Sequence, residues 1–180
     1  MAVCCPSKFH RISDVLWERL EPLLPKYKVS REGGRPRLSL RNVANGVFYV
    51  LLTGCQWKAM PREFGSASAI HGYFQEWVQA GVFAELWRLA LEEYDELKGI
   101  QWKWQSLDGA MNKSPLGGEK TGENPTDRGK LGVKRSVLTD GRGVPLAVAI
   151  DGANAHDQTF VDETLVGIPV RRPRPAPRKR

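Results

Sequence analysis

The chain has 180 residues, of which 41% are hydrophobic, so it can bury a core as one large domain or two small ones and disorder is not expected. Its net charge is +7, but residues 171–180 contain six basic and no acidic side chains, which leaves 21 basic and 20 acidic residues elsewhere. A chain-wide basic surface is therefore excluded, and any contact with nucleic acid has to be local.

The sequence carries no signal for secretion or membrane insertion. Cys4, Cys5 and Cys55 lack zinc-ligand spacing, so reduced structural thiols are the simpler interpretation. No apolar run approaches the roughly 20 residues that span a membrane, and the N-terminus has no basic region followed by an apolar stretch. We therefore expect a soluble, cytoplasmic protein.

The first 98 residues predict a domain of four helices. N-capping serines and helix-ending Pro or Gly residues set the boundaries, because serine accepts hydrogen bonds from the first turn and glycine is common just past the last. The predicted helices follow Ser13, Ser39, Ser66 or Ser68, and Gly81, and they end at Pro25, Gly54, Gly81 and Gly99. The predicted inward residues are Leu16, Leu20, Leu23 or Leu24, Val43, Val47, Val50, Leu51, Ile70, Tyr73, Phe74, Trp77, Val78, Phe83, Leu86, Ala90, Tyr94 and Leu97.

The polar linker at residues 26–38 interrupts these helices with two arginines, Arg35 and Arg37. They could lie along a phosphate backbone or in a minor groove, or in an ordinary solvated loop. The second and third helices could form a helix-turn-helix, although their connector of about ten residues is longer than the usual three to four. Aromatic side chains at helical spacing favour core packing over base stacking.

After residue 99 the hydrophobic period changes to that of strands. The sequence predicts three antiparallel strands and a short helix, with a basic loop at residues 111–130 that lacks the spacing of a phosphate-binding loop. The turn after the second strand is marked by Asp140-Gly141. The three strands and the helix are predicted at Trp102–Asp108, Val133–Thr139, Val144–Ile150 and Asp157–Val166.

Asp108 ends the first predicted strand and precedes Gly109. It is a candidate Mg²⁺ ligand, because that ion takes oxygen ligands and often one or two carboxylates, although an Asp-Gly pair also makes turns. In an antiparallel meander the first and third strands run the same way, so Asp151 is expected at the same edge, about 9–10 Å away. That is too far for a shared metal unless both side chains reach, and Asp140 is expected at the opposite edge.

Seven segments of the chain share one family pattern: residues 45–51, 54–57, 104–110, 113–118, 121–130, 132–138 and 145–154. Together they resemble bacterial insertion-sequence transposases of the IS-four/IS-five type. The family combines an N-terminal domain thought to bind the element's terminal repeats with a ribonuclease-H-like core and a DDE metal triad. The resemblance implies an α+β chain: an all-helical DNA-binding module (1–98), three strands and a helix of a partial nuclease domain (99–168), and a basic tail (169–180).

The resemblance implies that Asp108 is catalytic and holds Mg²⁺ in the complete enzyme. The second acid is expected on a fourth strand and the third on a later helix, both outside this sequence, so we expect the chain to be inactive alone. The partners are double-stranded DNA and either a second copy or the product of a second reading frame. A non-catalytic regulator and an inactive remnant are the alternatives, and His156 is either a DNA or metal-site neighbour or a loop histidine. The expected DNA contacts are Arg35, Arg37, Lys113, Arg128, Lys130, Lys134 and Arg135.

Overall fold

A computed structural model describes residues 11–27, 37–115, 117–127 and 129–172. The chain is α+β, as predicted, and forms two compact units that divide between Trp87 and Arg88, inside the fourth helix. The helices are α1 (Asp14–Leu20), α2 (Leu40–Thr53), α3 (Ala67–Gln79), α4 (Val82–Lys98) and α5 (Asp157–Val166). The strands are β1 (Gln105–Lys113), β2 (Gly122–Glu123), β3 (Leu131–Asp140) and β4 (Pro145–Gly152).

Helix α1 starts as predicted and ends earlier. The Ser13 hydroxyl accepts a hydrogen bond from the Leu16 amide at 3.2 Å, so serine caps the first turn. The α-helix stops at Leu20 and continues as a single 3₁₀ turn, Glu21–Leu23. The prediction that it runs to Pro25 was wrong, because Pro22 has no amide to donate back along an α-helix.

Helices α2 and α3 bury a narrower stripe than predicted. Gly54 ends α2 with φ 65°, as a left-handed C-terminal residue, and Ser66 caps α3. The Ser39 side chain makes no capping hydrogen bond. Leu51 and Val78 were wrongly predicted to face inward and are 55% and 51% exposed. At about 100° per residue each lies about 80° round its helix from the centre of the buried stripe.

The core of the first unit closes around Gly46 in α2. A Cβ atom on Gly46 would lie 2.8 Å from Ile70 Cδ1, 3.0 Å from Met60 Sδ and 3.2 Å from Phe64 Cβ. Met60 and Phe64 belong to the connector between α2 and α3, which contains two 3₁₀ turns. The absence of a side chain at position 46 thus lets this connector pack directly on α2.

Helix α4 has the predicted bounds, but the prediction that Ala90 and Leu97 face inward was wrong. Ala90 and Leu97 are exposed, and Leu91 is buried instead. Leu91 packs with Ile100 and the sheet residue Leu146 in the core of the second unit.

In the sheet, β1 and β4 flank β3 and both run antiparallel to it. The order of the three main strands was therefore predicted correctly, whereas the two-residue β2 was not predicted. Strand β1 starts three residues later than expected and continues five residues past Asp108, to Lys113. The prediction that Asp108 ends its strand was wrong: the residue lies within β1, opposite Val137.

The two faces of this sheet differ. Helix α5 covers one face, where Ser136, Leu138 and Ala149 are buried. We call the other the open face, since Val148 and Ile150 on it are 51% and 42% exposed. Side chains alternate between faces along a strand, and directly opposed residues share a face. The open face therefore carries Ser106, Asp108, Ala110, Asn112, Val133, Arg135, Val137, Thr139, Val148 and Ile150.

Asp140 ties the β3–β4 turn to the end of α4. Its carboxylate is buried and accepts hydrogen bonds from four groups: the amides of Gln101, Arg142 and Val144 and the Tyr94 hydroxyl. Burial alone raises the pKa of Asp140, but these hydrogen bonds outweigh burial and the pKa lies below its ordinary value. The Asp140 carboxylate is thus a structural anchor of the turn.

Candidate nucleic-acid interface

A cavity of about 770 Å³ opens at the N-terminus of α3, and we call it the basic groove. Three cations line it, one from the linker before α2 and two from the connector before α3: Arg37, Lys58 and Arg62. Ser66 and Ala67 bring the first turn of α3 to the same wall. Amides of a first turn have no partners within their helix, so they and the helix dipole favour an anion there.

Arg37 is held over an aromatic support. Its guanidinium carbon lies 4.6 Å from the ring centroid of Tyr27. The Tyr27 hydroxyl accepts a 3.1 Å hydrogen bond from the buried Trp77 indole, and its ring meets Tyr73 edge-on. Burial raises the pKa of Tyr27, so its hydroxyl stays neutral at ordinary pH. Arg37, which the sequence predicts as a DNA contact, thus lies on the wall of the basic groove and over the Tyr27 ring.

The charge of the basic groove is uncompensated within the described residues. None of Arg37, Lys58 and Arg62 forms an ion pair there. The neighbouring Glu63 carboxylate pairs with Arg11 at 3.1 Å. Three cations and a helix N-terminus around one cavity fit a phosphate backbone.

Two of the other predicted DNA contacts already form ion pairs within the protein. Lys113 and Lys130 both pair with Asp127, at 2.9 and 3.0 Å, and their hydrogen bonds lower the pKa of that carboxyl. Arg35 and Arg128 lie outside the described residues. Asp127 thus neutralises part of the basic character that the sequence assigns to this loop.

Lys134 and Arg135 point to opposite faces of the sheet. The Lys134 side chain is only 13% exposed; it donates to the Ala155 carbonyl at 2.9 Å and pairs with Asp157 at 3.0 Å. Arg135 is exposed on the open face. His156 is the N-cap of α5, where its Nδ1 accepts from the Gln158 amide, so its described contact belongs to the helix end.

Asp108 and Asp151 cannot share a metal ion in this sheet. Asp108 aligns with Val137, whereas Asp151 aligns with Lys134, three residues earlier in β3. Because this offset is odd, the two carboxylates lie on opposite faces of the sheet. They are also separated by about 10 Å along the strand direction. No group of three ligating side chains occurs among the residues that the structure describes. These residues do not fit a magnesium site, and Asp108 stands as a single exposed carboxylate.

Sequence reasoning missed Lys58 and Arg62. They flank Met60-Pro61, in the connector that was treated only as a spacer between helices. Two cations just before a capped helix are the signal that could have identified them, because a helix N-terminus already favours anions. The turns of the connector then place both on the groove wall.

The helical unit coincides with the segment that comparisons recognise. A family model described as "Putative transposase of IS4/5 family" matches residues 12–87. The chain is 33% identical over 118 residues to the "Insertion element IS402 uncharacterized 16.2 kDa protein" of Burkholderia cepacia, which covers 63% of this chain and 80% of that protein. The chain belongs to the IS4/5 family of insertion-sequence transposases.

Two further relatives bear on this IS4/5 chain. It is 43% identical over 67 residues to the "Putative transposase for insertion sequence element IS402" of Burkholderia cepacia, covering 32% of each. It is also 24% identical to an uncharacterized protein, y4sN, of Sinorhizobium fredii, across 51% of this chain and 68% of that protein. No solved structure matches. Among the described helices, none combines the length and apolar character required to cross a bilayer.

Proposed function

We propose that this chain is the DNA-binding part of an insertion-sequence transposase and that the helical unit binds the ends of its element. The observation that carries the proposal is the convergence of three unpaired cations and the α3 N-terminus in one groove. This groove lies inside the segment that matches the transposase family. Phosphate contacts of this kind fix the register and orientation of a protein on a duplex.

Helix α3 supplies the side chains that would read sequence. Ser68, Gly72 and Gln75 are exposed at i, i+4 and i+7, on a single face of the helix. The face begins beside the basic groove, so phosphate anchoring there would bring it to base edges. Glutamine can form two hydrogen bonds to adenine in the major groove, and serine pairs with several bases. Gly72 leaves room between them.

A gel-shift or anisotropy titration separates these two roles. The duplexes are an end of the element that carries the gene and a shuffled sequence of equal length and composition. Lys58→Ala/Arg62→Ala should weaken both duplexes about equally and reduce the slope of log affinity against log salt by about 2. Gln75→Ala should cost about 1–3 kcal/mol on the end sequence and little on the shuffled one.

The matched control is Arg41→Ala, which removes a cation that already pairs with Asp14 in the same unit. It should leave the affinity nearly unchanged. Equal affinity of the wild type for both duplexes would contradict recognition of element ends. Loss of binding in Arg41→Ala as large as in Arg62→Ala would show that the groove has no special role.

For the chain on its own, a regulator that occupies DNA without cutting it is the second candidate. It is favoured by the placement of Asp108 and Asp151 on opposite sheet faces. A two-metal strand transfer needs carboxylates that hold ions about 3.5–4 Å apart. The purified 180-residue chain should therefore neither nick nor join end DNA with Mg²⁺ or Mn²⁺. Cleavage that Asp108→Asn abolishes would contradict this assignment.

A further inference from the structure

Tyr27 attaches the linker that precedes α2 to the side of α3. Its hydroxyl accepts a 3.1 Å hydrogen bond from the indole N–H of Trp77, whose side chain is buried. Its ring meets the Tyr73 ring edge-on, with the two centroids 5.5 Å apart. Both partners belong to α3. One contact at the hydroxyl and another at the ring together fix the position and the tilt of the Tyr27 ring against that helix.

Arg37 comes from the other end of the same linker and lies over this ring. Its guanidinium carbon is 4.6 Å from the Tyr27 centroid, within the distance at which an aromatic ring attracts a cation. An exposed arginine without such a support samples many rotamers, and ordering it on binding costs free energy. The Tyr27 ring therefore sets where the Arg37 charge stands relative to α3 before a ligand arrives.

We propose that Tyr27 is a positioning residue for specific DNA binding, because it fixes the phosphate contact of Arg37 relative to the bases that α3 meets. This role rests on the proposed function, in which α3 reads base edges and the basic groove binds the backbone. On a matched duplex the base contacts of α3 hold the protein at one register, so the Arg37 charge has to coincide with one phosphate. On an unmatched duplex the protein can shift until a phosphate meets Arg37 in whichever rotamer it adopts. Tyr27 thus contributes more to discrimination between duplexes than to affinity in general.

Tyr27→Leu tests this role in the full chain with the end and shuffled duplexes. Leucine keeps apolar bulk against Tyr73 but removes the aromatic face below Arg37. Affinity for the end duplex should fall about fivefold, because Arg37 then has to be ordered on binding, and affinity for the shuffled duplex should fall by less than about twofold. The slope of log affinity against log salt should not change, since Arg37 still neutralises one phosphate. Arg37→Ala, by contrast, should reduce that slope by about 1 on both duplexes.

A double variant separates positioning from a general effect on the fold. If Tyr27 acts only through Arg37, Tyr27→Leu/Arg37→Ala should bind the end duplex within about twofold of Arg37→Ala alone. Tyr27→Phe restores the ring and should recover the affinity to within about twofold of wild type, although it lowers the melting temperature by leaving the Trp77 indole N–H unpaired. Tyr27→Gln, a polar variant without a ring, should give the same pattern as Tyr27→Leu.

Phe83→Leu is the matched control for loss of an aromatic ring. Phe83 on α4 also packs on Trp77, with the centroids 6.5 Å apart, and it does not line the basic groove. This variant should leave both affinity and discrimination close to wild type. Circular dichroism checks that each variant is folded before its affinity is compared.

Three results would overturn the role of Tyr27 while DNA binding by the helical unit stands. They are an equal loss on both duplexes in Tyr27→Leu, additive losses in the double variant, and failure of Tyr27→Phe to recover affinity. A wild type that binds both duplexes equally would overturn the proposed function, and the role of Tyr27 with it.

Discussion

The two units use lysine and arginine side chains in opposite ways. In the helical unit Arg37, Lys58 and Arg62 line a groove, and none of them forms an ion pair with another described residue. In the sheet unit Lys113 and Lys130 share Asp127, and Lys134 is held by Asp157. Arg142 is likewise used internally, because its guanidinium donates to the Lys98 and Gly99 carbonyls at the end of α4.

The difference teaches that basic character read from sequence does not locate a DNA interface. A lysine beside an aspartate contributes little free charge, whereas one beside a helix N-terminus adds to an existing positive potential. We therefore expect removal of the groove cations to alter DNA binding, and removal of an internally bonded charge such as that of Asp140 to alter stability.

The largest expected effect tests the structural use of charge. Asp140→Asn should destabilise the sheet unit by about 3 kcal/mol, because an amide cannot accept all the hydrogen bonds that this buried carboxylate accepts. Urea unfolding followed by circular dichroism measures the loss. Asp162→Asn, an exposed change of the same kind, should cost less than about 0.5 kcal/mol. DNA binding by Asp140→Asn at low temperature should be close to wild type.

The same variant predicts a pH dependence. The pKa of Asp140 is lowered in the folded state, so its contribution is complete above the unfolded value of about 3.9 and is lost as pH falls through the folded pKa. The stability difference between wild type and Asp140→Asn should thus be constant from pH 5 to 7 and shrink below pH 4. A difference that grows on acidification would contradict the sign.

A prediction of intermediate size distinguishes the contribution of the basic groove to DNA binding from that of the C-terminal tail. Removing residues 171–180 deletes six cations, each of which could release one counterion on binding DNA. The slope of log affinity against log salt should flatten by up to about 5, with no preference between end and shuffled duplexes. The melting temperature should stay within about 2 °C. A large thermal loss would show that the tail is part of the fold.

The smallest expected effect concerns the lysines held by Asp127. Asp127→Asn removes the carboxylate that lies 2.9 Å from Lys113 and 3.0 Å from Lys130. If those lysines contact DNA, as the sequence predicts, nonspecific affinity should rise about twofold to fivefold at low salt. Lys113→Ala in the same background should reverse the gain. Unchanged affinity would remove both lysines from the interface.

Local signals predicted helix boundaries well, as at Gly54 and at both ends of α4, because a glycine or a cap acts within one turn. They failed at Leu20, where Pro22 acted before the expected Pro25. The face of Asp151 relative to Asp108 depends on strand register, which is set by pairing across the sheet and is not written in either strand. The position of Lys58 and Arg62 beside Arg37 depends on how two separate connections pack, and spacing along the chain does not report that.

Gly46 has a consequence for engineering DNA affinity from a distance. Its missing side chain lets the connector that carries Lys58 and Arg62 rest on α2, with Met60 and Phe64 in contact. Gly46→Ala would favour the helix but push that connector outward by tenths of an ångström. The spacing of Lys58 and Arg62 thus depends on a buried glycine that has only hydrogen at its side-chain position. A methyl group added there would touch neither solvent nor nucleic acid, yet it would change the proposed affinity for DNA.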